Sequence, residues 1–164
     1  MPGVMTILEP GMRPYADAEP AISAVYDFWS ARCRDGRIPA RRDIDMVDIP
    51  RALLPDLLMF DVVEADGARR FRYRLVGSDI ERVAGIDPTG RFLDEIIPAD
   101  RTAELVASLD AAIATRRPNT LESPFGFADR EANHVRRIAL PLSGDGTRVD
   151  IVMCHFVFRS RTAG

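Results

Sequence analysis

The chain reads as an α+β domain built on an antiparallel sheet. Three observations carry that reading: five segments with strand patterning, a strong hairpin turn between the first two, and one longer amphipathic helix before the last three. The 164 residues, 46% hydrophobic and 29% charged, suit one soluble domain with one core. At this length roughly 70% of the unfolded surface is buried on folding, so the fold needs neither disulfides nor a structural metal.

Residues 1–20 hold Pro2, Gly3, Pro10, Gly11, Pro14 and Pro20, and that density of breakers predicts a mobile leader. From Ala21 the apolar residues Ile22, Val25, Tyr26, Trp29 and Cys33 recur at helical spacing, and Gly36 stops the helix. Its polar face carries Asp27, Ser30, Arg34 and Asp35, so the apolar stripe must lie on its own domain or on a partner. Arg37 to Pro55 contains three prolines and alternating charges, yet Ile44, Val47, Ile49, Leu53 and Leu54 are apolar enough to anchor it as an ordered connector with a short helical turn. Residues 21–56 are thus expected to pack on the domain formed by 57–160.

Leu57 to Glu64 is an apolar run, Asp66-Gly67 supplies the hairpin turn, and Arg69 to Val76 alternates. Phe71, Tyr73 and Leu75 face one way and Arg70, Arg72 and Arg74 the other, as in a half-buried strand with a solvated arginine face. Ser78 to Gly85 is a short helix, a turn-rich segment follows to Pro98, and Asp100 opens the longer helix. Leu105, Val106, Leu109, Ala112 and Ile113 form its buried stripe, and Arg116-Arg117-Pro118 ends it. Three more strands are expected near Thr120 to Ala128, Val135 to Leu142 and Val149 to Phe158. In the last, both parities are apolar, so it is covered on both faces, and the N-terminal helix is the natural cover for the second.

Composition excludes several chemistries. All 22 cationic residues are arginine, which removes the P-loop, Schiff-base and pyridoxal phosphate sites that require lysine. The net charge is −3 and the arginines are interleaved with acids, so no footprint for nucleic acid stands out. Cys33 and Cys154 fit no CxxC spacing. Neither a membrane-spanning run nor a secretory leader is legible, so the expected location is the cytoplasm. Asp94-Glu95 and the Asp43, Asp45, Asp48 group offer carboxylates, but no Ser/His/Asp or Cys/His set converges in a recognisable context. His134 is expected in a solvated turn. His155, mid-strand beside Cys154 but on the opposite face, is expected under the N-terminal helix, and Cys154 as an inert buried thiol.

The order of elements, and the wording Phe71-Arg-Tyr-Arg-Leu-Val-Gly-Ser-Asp-Ile80, Gly85 and Thr89-Gly-Arg-Phe-Leu-Asp-Glu-Ile-Ile-Pro-Ala-Asp100, resemble the PAS domain over about Leu57 to Arg159. With the Trp29 helix and the Ile38 to Pro55 segment, the chain is similar to a bacterial PAS-like family (PAS_5, DUF1457 type) whose members often consist of little else. The resemblance implies a five-stranded antiparallel sheet with helices on one face, the N-terminal amphipathic helix outside that core, and a pocket for haem, flavin, a metabolite or nothing. Flavin photosensors of the LOV type carry a cysteine immediately before Arg-Phe-Leu. Gly90 stands there, before Arg91-Phe92-Leu93, so the LOV-type adduct is not expected. Ser78 to Arg117 holds no histidine for helix-ligated haem, and neither cysteine lies where coumarate attachment would need one.

The cofactor is therefore unknown, and the function implied is a non-catalytic sensory or adaptor protein in signal transduction. Its partners are a small molecule, a signalling protein or a second copy of itself; nucleic acid and membrane are not expected. Pocket candidates are Tyr73, Leu75, Phe92, Leu109, Ile113, Phe125 and Phe127, and the candidate dimer or partner interface is Ile22, Val25, Tyr26 and Trp29. Alternatives are a permanent small-ligand carrier and an NTF2-like α+β enzyme. After Phe158 only six residues remain, which leaves no room for a kinase, cyclase or DNA-binding output domain.

Overall fold

The computed structural model describes residues 3–124 and 133–160. Its strands are β1 (Val4–Ile7), β2 (Leu57–Ala65), β3 (Ala68–Val76), β4 (Asn119–Pro124), β5 (Asn133–Ser143) and β6 (Val149–Ser160). Its helices are α1 (Pro20–Ser30), α2 (Ser78–Ala84), α3 (Leu93–Ile96) and α4 (Ala99–Thr115), with short 3-10 turns through 41–56. All strand pairs are antiparallel, in the order β1-β4-β5-β6-β2-β3.

Local chemistry accounts for the element boundaries. Asp66 and Gly67 both take positive φ, 52° and 76°, the conformation a two-residue hairpin needs between right-twisted strands. Pro98 precedes α4, and Arg116 closes it in the left-handed region, its N–H bonded to the Ala112 carbonyl. Gly77, between β3 and α2, sits so close to the connector that a Cβ there would lie 2.2 Å from the Pro55 carbonyl oxygen.

The sheet is covered on both faces. Cross-strand register places Phe60, Tyr73, Leu121, Arg137, Ala139, Cys154 and Phe156 on one face, called inner here. Helix α4 lies on it, fastened where Ser108 Oγ donates to Asn119 Oδ1 at 2.5 Å and where Arg69 reaches Asp110 at 3.0 Å. The opposite face, with Met59, Ile138, Leu140, Met153 and His155, is covered by α1 and the connector. Burial follows: Ile138, Ala139, Leu140, Val152, Met153 and Cys154 are completely inaccessible.

The structure corrects several expectations. Residues 4–7 are an edge strand on β4, not a mobile leader, which makes the sheet six-stranded rather than five-stranded. Leu8 is buried and its N–H bonds the Pro118 carbonyl, Gly3 N–H bonds Glu104, and Glu9 pairs with Arg117. Breakers flank this strand without interrupting it. Helix α1 is not outside the core: Ile22, Val25 and Trp29 are buried in it, and Trp29 Nε1–H donates to the Pro141 carbonyl at 2.9 Å. A doubly apolar β6 needs a second cover, and this stripe supplies it. The helix ends at Ser30, and Asp35-Gly36 forms a separate tight turn in which Arg34 and Arg37 exchange backbone hydrogen bonds.

The connector packs through Ile38, Ile44, Ile49 and Leu53, whereas Val47 is 88% exposed at the tip of a 3-10 turn and anchors nothing. His134 lies in β5 opposite Pro124 and Arg159, not in a turn. No helix of the described residues is long and apolar enough to cross a membrane.

Candidate functional site

The inner face begins with an aromatic group at its β2–β3 end. Phe60 and Tyr73 stand with ring centroids 4.8 Å apart, and Phe71 meets Phe60 edge-on at 6.2 Å. Burial pushes the Tyr73 phenol above its ordinary range, so it stays neutral. Leu109 closes over the core from α4 with no exposure, and Leu75 and Ile113 are partly buried against the same cluster. Phe92 does not join them: it lies across the outer edge of β3, bridging Arg72, with the Arg70 guanidinium 3.8 Å above its ring. Phe125 and Phe127 fall outside the described residues.

The interface candidates divide differently. Ile22, Val25 and Trp29 are structural, and a contact through them would require α1 to leave the sheet. Tyr26 is partly buried, tilted on Trp29 at 6.2 Å and under Arg13 at 5.2 Å.

At the β4–β6 end the inner face carries Arg137. Its side chain is only 3% exposed and stands between Leu121 and Phe156 at the directly opposed positions of the neighbouring strands. The guanidinium lies 5.9 Å from the Phe156 ring, which stacks on Phe158 at 6.0 Å and 12°. Its Nε and Nη2 are buried with no hydrogen-bond partner, and no ion pair compensates the charge among the described residues. Desolvation lowers its pKa, yet arginine remains cationic at any physiological pH. A buried unpaired ion carries a penalty of several kcal/mol, so among the described residues this is the least compensated charge. Neighbouring Arg136, on the other face, pairs with Glu19 at 3.0 Å and Glu122 at 3.4 Å and covers the Tyr15 ring. The Tyr15 hydroxyl donates to the Leu121 carbonyl at 3.0 Å and accepts from the Arg137 N–H at 3.2 Å, so it bridges β4 and β5.

Sequence reasoning passed over Arg137, although a signal existed. Adjacent residues of a strand point to opposite faces, so in Val135-Arg-Arg-Ile138 one arginine must point under the helices.

Cys154 and His155, adjacent in sequence, point to opposite faces and form no dyad. Burial raises the Cys154 thiol to about 11, so it is protonated and unreactive. His155 sits under the connector rather than under α1: Nε2–H donates to the Leu53 carbonyl at 3.2 Å, Nδ1 has no partner, and burial depresses its pKa to about 4. The connector acids are used in its own turns and just past the end of α1. Asp43 accepts from Ala40 N–H, Asp45 caps Val47 N–H, and Asp48 reaches Arg32. Arg70 grips Asp94 with two bonds of 2.6 and 2.8 Å and holds that carboxyl below its usual range, while Arg72 and Arg74 share Asp61. Asp56 is raised to about 6 by burial and the adjacent Asp79. A cleft of about 530 Å³ lined by Ser78, Glu81, Arg82, Gly85, Ile86 and Asp87 opens at the surface beside α2, away from the residues expected to line a pocket. Among the described residues no three potential ligands gather as a metal site.

A family model described as a PAS domain (PAS_5) matches residues 18–154. No curated protein matches the chain. Among solved structures, an RNA-binding light-oxygen-voltage receptor is similar with a TM-score of 0.52 and 13% identity, covering 98% of this chain and 39% of the receptor. The chain thus spans about two fifths of that receptor's length, and at this identity the likeness concerns the fold.

Proposed function

This chain belongs to the PAS domain family, and we propose that it is a non-catalytic sensory or adaptor protein that signals by binding a small ligand, a protein, or both. The observation that carries the reading is the family match over most of the chain, combined with an inner sheet face whose Tyr73 is buried in one core with Leu109 of α4. The same face supports a binding role over a catalytic one, because its nucleophile candidate is a protonated thiol and its neighbouring histidine points away. Ligand occupancy shifts the conformation or partner of such a protein only by its differential affinity for two states. A homodimer belongs to this reading, formed through surface other than Ile22, Val25 and Trp29, which the core occupies.

Native mass spectrometry of the purified chain, followed by denaturation and identification of released molecules, tests the reading. A bound molecule that exchanges with added ligand supports a sensor, and an empty dimer that retains a signalling protein supports an adaptor. A stoichiometric molecule that never exchanges makes it a carrier. Chemical conversion of the bound molecule at a steady rate refutes the non-catalytic reading.

A further inference from the structure

We infer that Arg137 is the anchor of a small organic acid, whose carboxylate lies against the Nε and Nη2 edge of its guanidinium and whose apolar body lies on Phe156. The inference rests on the ligand-binding reading above and names the class of ligand. Its first support is the pairing of two unsatisfied donors: Nε and Nη2 are the two nitrogens that form one side of the guanidinium fork, and both are buried without a partner. Two parallel N–H donors on one edge match a carboxylate, which accepts both at once. The molecule shows this match elsewhere, since the same edge of Arg70 holds both oxygens of Asp94. Arg70 is at the surface with its carboxylate supplied by the chain, whereas Arg137 is 3% exposed and no described residue supplies one.

The surroundings define the rest of the ligand. Leu121, Val135, Phe156 and the neutral Cys154 are all buried on this face. None offers a charge of either sign, so a polar body would lose its hydration there without replacement. A flat or aliphatic apolar body is the kind that the stacked Phe156–Phe158 pair favours. The position also gives a ligand a route to the rest of the fold. The Arg137 N–H is held by the Tyr15 hydroxyl, and Tyr15 belongs to the segment leading into α1.

Thermal melting at pH 7 with acetate, octanoate, benzoate and phenylacetate tests this, with benzamide and inorganic phosphate as comparisons. At least one carboxylate is expected to raise Tm by roughly 4 °C at tenfold its Kd, and benzamide is not. Arg137→Met, which keeps the length and removes the charge, is expected to melt no lower than the native chain and to lose the response. In the native chain, the buried arginine Nε–H signal in nitrogen-15 NMR is expected to shift on adding the effective acid, a readout independent of whether the variant folds. Failure of every carboxylate, a response retained by Arg137→Met, or a Tm drop of several degrees in the ligand-free variant each overturns the inference. The last result would mark Arg137 as satisfied by its own chain. A response to phosphate alone overturns the carboxylate. A neutral molecule released from the purified protein would leave the sensory reading standing and remove Arg137 as its anchor.

Discussion

Lowering the pH from 7 to 4 should destabilise this domain through His155 by an amount large enough to isolate. In the folded chain the ring is almost inaccessible and donates through Nε2 to the Leu53 carbonyl, leaving Nδ1 without a partner. Protonation would place a charge and an unpaired donor in that site, which is why the folded pKa falls to about 4. In the unfolded chain the ring titrates near its ordinary value of about 6.5. Between these values the unfolded state binds more protons. The neutral ring's contribution is therefore whole above about pH 6.5 and is lost as pH falls towards 4. With the folded ring half protonated at pH 4, the loss comes to roughly 3 kcal/mol. For a chain of this size that lowers Tm by about 6 to 12 °C.

Other acids titrate in the same window, and Asp56 opposes the trend. Its folded pKa, raised to about 6, makes the folded state the better proton acceptor between the ordinary aspartate value and 6, so its effect destabilises as pH rises. The assay is therefore a difference: urea denaturation of the native chain and of His155→Gln at pH 7, 6, 5 and 4. Glutamine keeps a donor for the Leu53 carbonyl and does not titrate. The native chain should lose roughly 3 kcal/mol relative to the variant across this range. Parallel curves for the two proteins would refute the assignment of His155 as a neutral buried ring.

Trp29→Ala should cost about 3–5 kcal/mol in urea denaturation, because it opens a core cavity and leaves the Pro141 carbonyl without its donor; an unchanged midpoint with altered self-association would restore α1 as an interface. Tyr15→Phe should cost about 1–3 kcal/mol and speed hydrogen exchange at the Arg137 amide, which loses its acceptor; unchanged exchange there would show that the β4–β5 bridge is not made. Gly77→Ala should destabilise by about 3 kcal/mol or more, since the new methyl meets the backbone oxygen of Pro55 rather than a movable side chain. A near-native melting curve would mean that the β3–α2 junction and the connector separate easily.

Some of the architecture follows from periodicity and turn chemistry alone. The Leu57–Ala65 and Ala68–Val76 hairpin was legible because Asp-Gly takes positive φ cheaply and because Phe71 and Tyr73 alternate with arginines. Helix α4 was legible from its stripe and from the Asp100 and Arg116 signals near its ends, and two-sided burial of Ile151 to Phe156 from the apolar parities of the last strand. Those patterns are local, and they state which side of an element avoids water.

What that side meets is decided by tertiary structure. The Ile22, Val25 and Trp29 stripe would suit a partner or its own sheet equally well, and only the fold lays it over β5 and β6. Val4–Ile7 carries almost no burial signal, for three of its residues are exposed; its place on β4 comes from backbone hydrogen bonds that any sequence except proline could make. The two adjacent arginines of β5 show the same division most sharply. Alternation alone requires them to point to opposite faces. Glu19, more than a hundred residues away in sequence, arrives to neutralise Arg136 on one face, and among the described residues no carboxylate arrives at Arg137 on the other. A sequence specifies the direction of a side chain through the short-range geometry of its own strand, but whether a charge is answered depends on which distant residues the folded chain brings beside it.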